Sequence, residues 1–294
     1  MSVKVLCKDE IEKIVAININ LSKLMDCQKQ AFIDFSKGII NTPLPLQILF
    51  TNPPGDCHVK AGFNQFDDVF IVKIATGFYQ NRSMGLPAGD GAVLVFSKST
   101  GLLQHILCDG GYLTQIRTAV AACIASQISP VSHICIVGTG SLGTLTQKCM
   151  RQLYPNAEIN LWSRSLGTDL SSTLQKCDLV ITTTASHTPL ITLKNIKQNM
   201  HIIALGADET GKQELEPELF RHADHVIVDS RVQSALYGDS SYAISTNILT
   251  SEKTEELGEL LAHDYATHGK FIITDLTGIA GQDIEMAKFV INNC

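Results

Sequence analysis

The 294-residue sequence contains no apolar run approaching the roughly 20 residues that a membrane-spanning helix requires, and no run of Lys or Arg. Its 23 basic residues are outnumbered by 29 acidic ones, for a formal charge of −6, so the electrostatic footprint that nucleic acid or an anionic membrane surface would demand is missing. Neither partner is expected. The nine cysteines are odd in number, scattered, and form no C-x-x-C pair, which excludes a disulfide framework and fits free thiols in a reducing compartment. Met1-Ser2-Val3-Lys4 leads into no signal-peptide pattern, and the expected location is cytoplasmic. His222 and His225 lack the surrounding Cys or His residues of a metal centre and read as surface histidines, so no metal is expected. Repeats and low-complexity linkers are absent. With 45% hydrophobic residues over this length, the chain can build a large core and divides most simply into two domains.

The most informative stretch is Ile134 to Gly143. Four β-favouring apolar residues run into G-x-G-x-x-G, and a helical stretch, Leu142 to Leu153, follows before Pro155. A strand, a tight turn and a helix N-terminus in this order make a dinucleotide site. Gly138 permits the turn, Gly140 lets a pyrophosphate approach the backbone, and Gly143 lets helix and strand pack closely. Thr139, Ser141 and Leu142 lie within the same turn, whose N–H groups and helix dipole hold phosphate. A second β-like run, Glu158 to Trp162, ends where the ribose-reading residue belongs. It continues into Ser163 and Arg164 with no carboxylate, a pattern that suits a 2′-phosphate and favours NADP(H), with NAD(H) as the alternative.

Ahead of this unit the period changes. Val3–Leu6, Leu46–Phe50, His58–Phe63, Val69–Thr76, Gly91–Ser97 and Leu102–Leu107 read as strands, joined in the middle by turn signals such as Asn52-Pro53-Pro54-Gly55-Asp56. The expectation is a mostly antiparallel sheet with helices from Asp9 to about Ala16 and from a cap at Asn20 or Ser22 to Gly38. Lys60, Lys73 and Asp90 are charges that such strands do not need. Arg117 sits in a small-residue helix just before the Rossmann strand. Beyond the glycine-rich turn, Leu179–Thr182, His201–Leu205, Val226–Val228 and Phe271–Thr274 continue the strand pattern, with a helix expected from Glu255 to His263 and another at the C-terminus. Gly206 to Gln213 nearly spells a P-loop, but Gln213 replaces the magnesium-binding hydroxyl and Asp208 and Glu209 would repel phosphate. A strand-terminal carboxylate there suits proton transfer instead. The expected fold is α/β: a Rossmann-type dinucleotide-binding domain, residues 119–275, plus a discontinuous α+β domain, residues 1–118 and 276–294.

Several segments in order resemble the ornithine cyclodeaminase and mu-crystallin family: Gly85-Leu86-Pro87, Leu113-Thr114 with Arg117-Thr118-Ala119, Gly138-Thr139-Gly140, Gly206-Ala207-Asp208 with Gly211-Lys212, Asp229-Ser230-Arg231, and Thr277-Gly278 with Gln282-Asp283. The resemblance implies a homodimer whose N-terminal domain supplies the substrate site and the dimer sheet. It implies that Lys73 and Arg117 grip a substrate α-carboxylate, that Asp208 transfers a proton, and that Thr118 and Gly278 join the glycine-rich turn in holding NAD(H) or NADP(H). An arginine that the family commonly carries beside the proline of the first strand region is absent, because this chain reads Thr42-Pro43-Leu44-Pro45-Leu46. Three activities follow from the resemblance. The first is an ornithine cyclodeaminase-like oxidoreductase acting on the C–N bond of a small amino acid, ornithine to proline plus ammonia being the prototype. The second is an NADPH-dependent cyclic imine reductase or amino-acid dehydrogenase. The third is a non-catalytic binder of NADPH or a small molecule.

Overall fold

The computed structural model describes residues 2–263, 265–266 and 270–294, with 17–19 described at the backbone. The chain forms two compact units, Met1–Arg117 with Ala280–Cys294, and Thr118–Ile279. No helix among the described residues is long and apolar enough to cross a membrane.

The first unit is built on strands β1 (Lys4–Cys7), β2 (Ile40–Asn41), β3 (Leu46–Thr51), β4 (Pro54–Asn64), β5 (Val69–Gly77), β6 (Gly89–Ser97) and β7 (Leu103–Cys108). They lie in the order β1-β7-β6-β5-β4-β2, with β3 also on β4. Only β1 runs parallel to its neighbour. Helices Lys8–Val15, Ile17–Ser36 and Ala280–Ile291 pack together with this sheet, the last lying against β4 and β5. Ile71, Val93, Val95 and Leu107 are buried on the helix-covered face. Residues directly opposite on neighbouring strands share a face. By register, Leu46 pairs with Val59 and Val59 with Ile74, so the other face carries Leu46, Ile48 and Ile74, all exposed.

One helix start differs from expectation, and the end of the same helix agrees with it. Asn20 does not cap its own helix; its Nδ2 donates to the carbonyls of Ile14 and Val15 at 3.1 Å, closing the C-terminus of the preceding helix. The helix that follows runs to Ser36, and Gly38, at φ +69°, turns the chain out of it.

The second unit is a parallel sheet of β8 (His133–Val137), β9 (Glu158–Trp162), β10 (Leu179–Thr182), β11 (His201–Ala204), β12 (His225–Val228), β13 (Thr254–Glu256) and β14 (Ile272–Asp275), ordered β13-β12-β14-β11-β10-β8-β9. Strands β10, β11 and β14 are buried along their whole length, so their apolar residues run together, as at Leu179–Ile181, Ile202–Ala204 and Ile272-Ile273, instead of alternating with polar ones. Strand β8 lies between β9, which follows it, and β10, so the order reverses at the carboxyl end of β8. In open α/β sheets that crevice is where ligands bind. Residues 254–256 form an edge strand where a helix from Glu255 was expected. Ladder pairing of Thr254, Glu255 and Glu256 with Val226, Ile227 and Val228 outweighs the helical propensity of the two glutamates, and the helix is confined to Leu257–Leu261.

Candidate functional site

The glycine-rich turn has the geometry its sequence calls for. Gly138 stands at φ +127°, and a Cβ there would lie 2.4 Å from Thr183 Oγ1; a Cβ on Gly143 would lie 2.0 Å from the Gly138 carbonyl oxygen. Both positions therefore exclude any side chain. Gly140 is the extended N-cap of helix Ser141–Leu153, whose N-terminus no side chain caps and whose first turn holds no acidic residue. Such a terminus presents N–H donors and a positive dipole end to an anion. Thr139 and Ser141 are exposed beside it, Leu142 is half-buried and Gly143 buried. On the adjacent strand, β9 ends at Trp162, and Ser163 and the exposed Arg164 follow directly. These residues fit a dinucleotide: the turn accepts a pyrophosphate, and the end of β9 offers hydroxyls and a cation with no carboxylate. Thr118 is buried on helix Tyr112–Ser126. Gly278, at φ +85°, donates its N–H to Asp229 and accepts from Gln233 Nε2 at 3.0 Å.

Asp208 lies in the loop after β11, with its side chain 39% exposed. The buried Lys212 ammonium holds it at 2.9 Å and Glu209 at 3.1 Å, so the near-P-loop lysine is committed to two carboxylates. Further buried carboxylates tie down the loops at this edge of the sheet. Glu214 accepts from Thr182 Oγ1, the Thr184 N–H and hydroxyl, and the Gly206 N–H, all within 2.6–2.8 Å. Asp239 accepts the backbone N–H groups of Glu214 and Leu215, and Asp275 accepts the Ser240 backbone N–H and the Ser240 hydroxyl. Burial pushes the Asp275 carboxyl up to about 7, against the pull of its Ser240 donors. His225, read as a surface histidine, is half-buried with Nδ1 2.8 Å from Glu255 Oε2, while His222 is exposed.

In the first unit, Lys73 and Arg117 converge on one carboxylate. Lys73 Nζ lies 2.9 Å from both oxygens of Asp283, and Arg117 Nε lies 3.6 Å from Asp283 Oδ1. Arg117 Nη1 also donates to Gln282 Oε1 at 3.3 Å. All three ionised side chains are at most 7% exposed. Burial alone would raise the Asp283 pKa, but Lys73, Arg117 and Lys60 together bring it below the ordinary carboxylate range. Lys73 is pulled below the usual lysine value by burial first and by Arg117 second, against the attraction of Asp283. Asp109 also lies near Lys73; its Oδ2 accepts the Leu113 N–H at 2.8 Å, at the start of helix Tyr112–Ser126.

Thus Lys73 and Arg117 are brought together within the first unit, while Asp208, the glycine-rich turn, Ser163 and Arg164 belong to the second. Asp283 is the residue that sequence reasoning did not single out. It was visible only as part of the Gln282-Asp283 pair, and its partner on β5 is 210 residues away.

A glycine-rich turn at the switch point of a parallel sheet defines a Rossmann-type nucleotide-binding protein, here with an added mainly antiparallel unit. Comparison with known proteins gives the family. The profile of the ornithine cyclodeaminase/mu-crystallin family matches residues 8–294, and the chain belongs to that family. A protein of Sinorhizobium fredii named as an uncharacterized cyclodeaminase is 27% identical, over 97% of this chain and 94% of its own length. An archaeal alanine dehydrogenase dimer with bound NAD superposes with a TM-score of 0.89 at 23% identity, covering 100% of this chain and 96% of the other. The Thermococcus litoralis Delta(1)-pyrroline-2-carboxylate reductase, in complex with NADH and L-proline, gives 0.85 at 18% identity, covering 99% and 97%. The expected family and the expected α/β fold are both borne out.

Proposed function

We propose that the protein is an NAD(P)-dependent oxidoreductase of the ornithine cyclodeaminase type, acting on the Cα–N bond of a small amino acid or of the corresponding imino acid. The observation that carries this reading is the buried Lys73–Asp283–Arg117 cluster, in which two cations face one carboxylate. A further anion would balance them, and a planar carboxylate suits both an ammonium and a guanidinium. The family match and the likeness to amino-acid and imino-acid enzymes support the same chemistry.

In this reading Lys73 and Arg117 orient the substrate through its α-carboxylate, and the turn from Gly138 to Gly143 holds the dinucleotide pyrophosphate, with contacts from Thr118 and Gly278. A nicotinamide dinucleotide held there would supply the hydride chemistry at Cα. Asp208 carries the proton to or from the substrate nitrogen, and the Lys212 ammonium holds that carboxylate in place. Ser163 and Arg164 favour NADP(H), which suits the reductive direction, imino acid to amino acid; a cyclodeaminase would run the same hydride step both ways and release ammonia. The exposed apolar face of β3 and β5 is proposed as the contact of a homodimer, and Ile48→Lys should shift its mass in light scattering toward that of one chain.

The test is a panel on the wild-type enzyme and Asp208→Asn. Pyrroline-2-carboxylate with NADPH and ornithine with NAD⁺ are followed by nicotinamide absorbance and by ammonia release. Wild-type turnover on either, a loss of about 100-fold or more in Asp208→Asn, and unchanged dinucleotide affinity are expected. Full turnover by Asp208→Asn would remove Asp208 from the mechanism.

A further inference from the structure

The nine cysteines form no pattern along the sequence, but the fold sets two of them side by side. In the parallel ladder of β1 and β7, Leu6 stands opposite Leu107 and Cys7 opposite Cys108. Successive side chains of a strand alternate between its faces. Leu6 and Leu107 are buried on the helix-covered face, so Cys7 and Cys108 fall together on the other one, and both are exposed free thiols. The chain keeps the two segments together beyond the ladder as well: Lys8 lies over Gly110, where an added Cβ would be 3.3 Å from Lys8 Cδ.

Neighbouring strands run about 4.8 Å apart, and a disulfide spans Cα atoms about 4.4–6.8 Å apart, so this pair is within bonding reach without separation or slippage of the strands. Side chains standing parallel at that spacing hold their Cβ atoms wider than the roughly 3.8 Å of a relaxed disulfide. The bond would store strain, and strained, exposed disulfides are the readily reduced ones. The other thiols are poor competitors. Cys123, Cys135, Cys149 and Cys177 are buried, and Cys27 and Cys57 are half-buried on helix Ile17–Ser36 and on β4. Cys294 is exposed, but its sulfur lies 3.2 Å from Lys4 Nζ, and Lys4 alternates along β1 with Leu6 rather than with Cys7.

We propose that Cys7 and Cys108 form a reversible redox site whose co-substrate is a small disulfide such as oxidised glutathione. One cysteine thiolate attacks a sulfur of the small disulfide, forms a mixed disulfide and releases one glutathione. The second cysteine attacks the protein-side sulfur, closes the Cys7–Cys108 bond and releases the other. Two protein thiols are oxidised, one glutathione disulfide is reduced to two thiols, and the two cysteine protons pass to the released thiolates. The bond staples the edge strand β1 to the segment that leads, through Asp109, into the helix of Arg117. This site is independent of the reaction proposed above.

The experiment treats the full-length protein, as it assembles in solution, with oxidised glutathione, stops exchange with acid and maps the cysteines by mass spectrometry of unreduced peptides. A Cys7–Cys108 linked peptide that disappears on treatment with dithiothreitol is expected. Both thiols should be lost at least about 10-fold faster than the four buried ones, because access limits the buried thiols. In Cys7→Ser and in Cys108→Ser, glutathione should remain trapped on the surviving cysteine. Mixing isotope-labelled with ordinary protein separates a bond within one chain from a bond between two. Glutathione retained on the wild-type pair with no bond between them, a bond from either cysteine to another cysteine or another chain, or protection of both thiols would overturn the proposal. The wild-type map decides the matter even if a serine variant does not fold.

Discussion

Replacing Asp283 by Asn removes one charge from the buried cluster and almost no volume. The Coulomb attraction between Lys73 and Asp283 at 2.9 Å is about 6 kcal/mol at an effective dielectric of 20, before the cost of desolvating either group. The wild-type pair largely offsets that cost. The variant leaves Lys73 and Arg117 buried without it, and removal of one partner from a buried pair costs about 3–5 kcal/mol. For a chain of this size one kcal/mol moves the melting temperature by about 2–4 °C, so the first unit should melt about 6–20 °C earlier in calorimetry. The Asp283 pKa is lowered by folding, so its contribution is fully present above the unfolded value and is lost as pH falls through the lower, folded one; the gap between wild type and variant should close in strong acid. A double variant with Lys73→Met should recover at least about 1 kcal/mol relative to the sum of the singles. A melting point within 1 °C of wild type, or additive single effects, would refute the view that these groups compensate one another.

Other perturbations act on the second unit. Gly143→Ala forces a Cβ to 2.0 Å from the Gly138 carbonyl oxygen, so dinucleotide affinity measured by nicotinamide fluorescence should fall by at least about 100-fold, the 2.7 kcal/mol scale of a lost binding geometry. Arg164→Ala should lower NADPH affinity relative to NADH by about 10–100-fold, the worth of a charge-assisted contact to the 2′-phosphate, and an unchanged ratio would place Arg164 outside the site. Asp275 binds its proton more tightly folded, near pH 7, than unfolded, near 3.8; its stabilisation is complete below about pH 4 and is lost as pH rises to about 7, by up to about 4 kcal/mol. Asp275→Asn should flatten that part of the urea-stability profile of the second unit, and a parallel profile would show that Asp275 does not titrate there.

What could be read from the sequence was what is local. The run from Ile134 to Gly143 fixes strand, turn and helix start within ten residues because each glycine answers a steric demand of its own neighbours. The short apolar runs Leu179–Ile181 in β10 and Ile202–Ala204 in β11 were legible for the same reason. Asn20 was misread because a side chain that caps a helix N-terminus can equally bond the last carbonyls of the helix before it, and only the close succession of the two helices decides. Residues 254–256 were misread because edge pairing with β12 is a long-range contact that propensity does not contain. Lys73 stood out as a strand charge, but neither its pairing with Lys60 nor its bond to Asp283 leaves any periodic trace: one is a matter of register, the other of a helix returning from the far end of the chain.

On the proposed function, this chain binds a nicotinamide dinucleotide and uses it on a C–N bond. Purified protein is titrated with NADPH and with NADH by fluorescence, and pyrroline-2-carboxylate is then added while the absorbance of the reduced nicotinamide is followed. Saturable binding, tighter for NADPH, followed by stoichiometric consumption on addition of an imino acid is the predicted result. Failure to bind either dinucleotide would contradict the reading of Gly138 to Gly143, and binding with no consumption across imino acids, together with no ammonia from ornithine, would contradict the enzymatic claim.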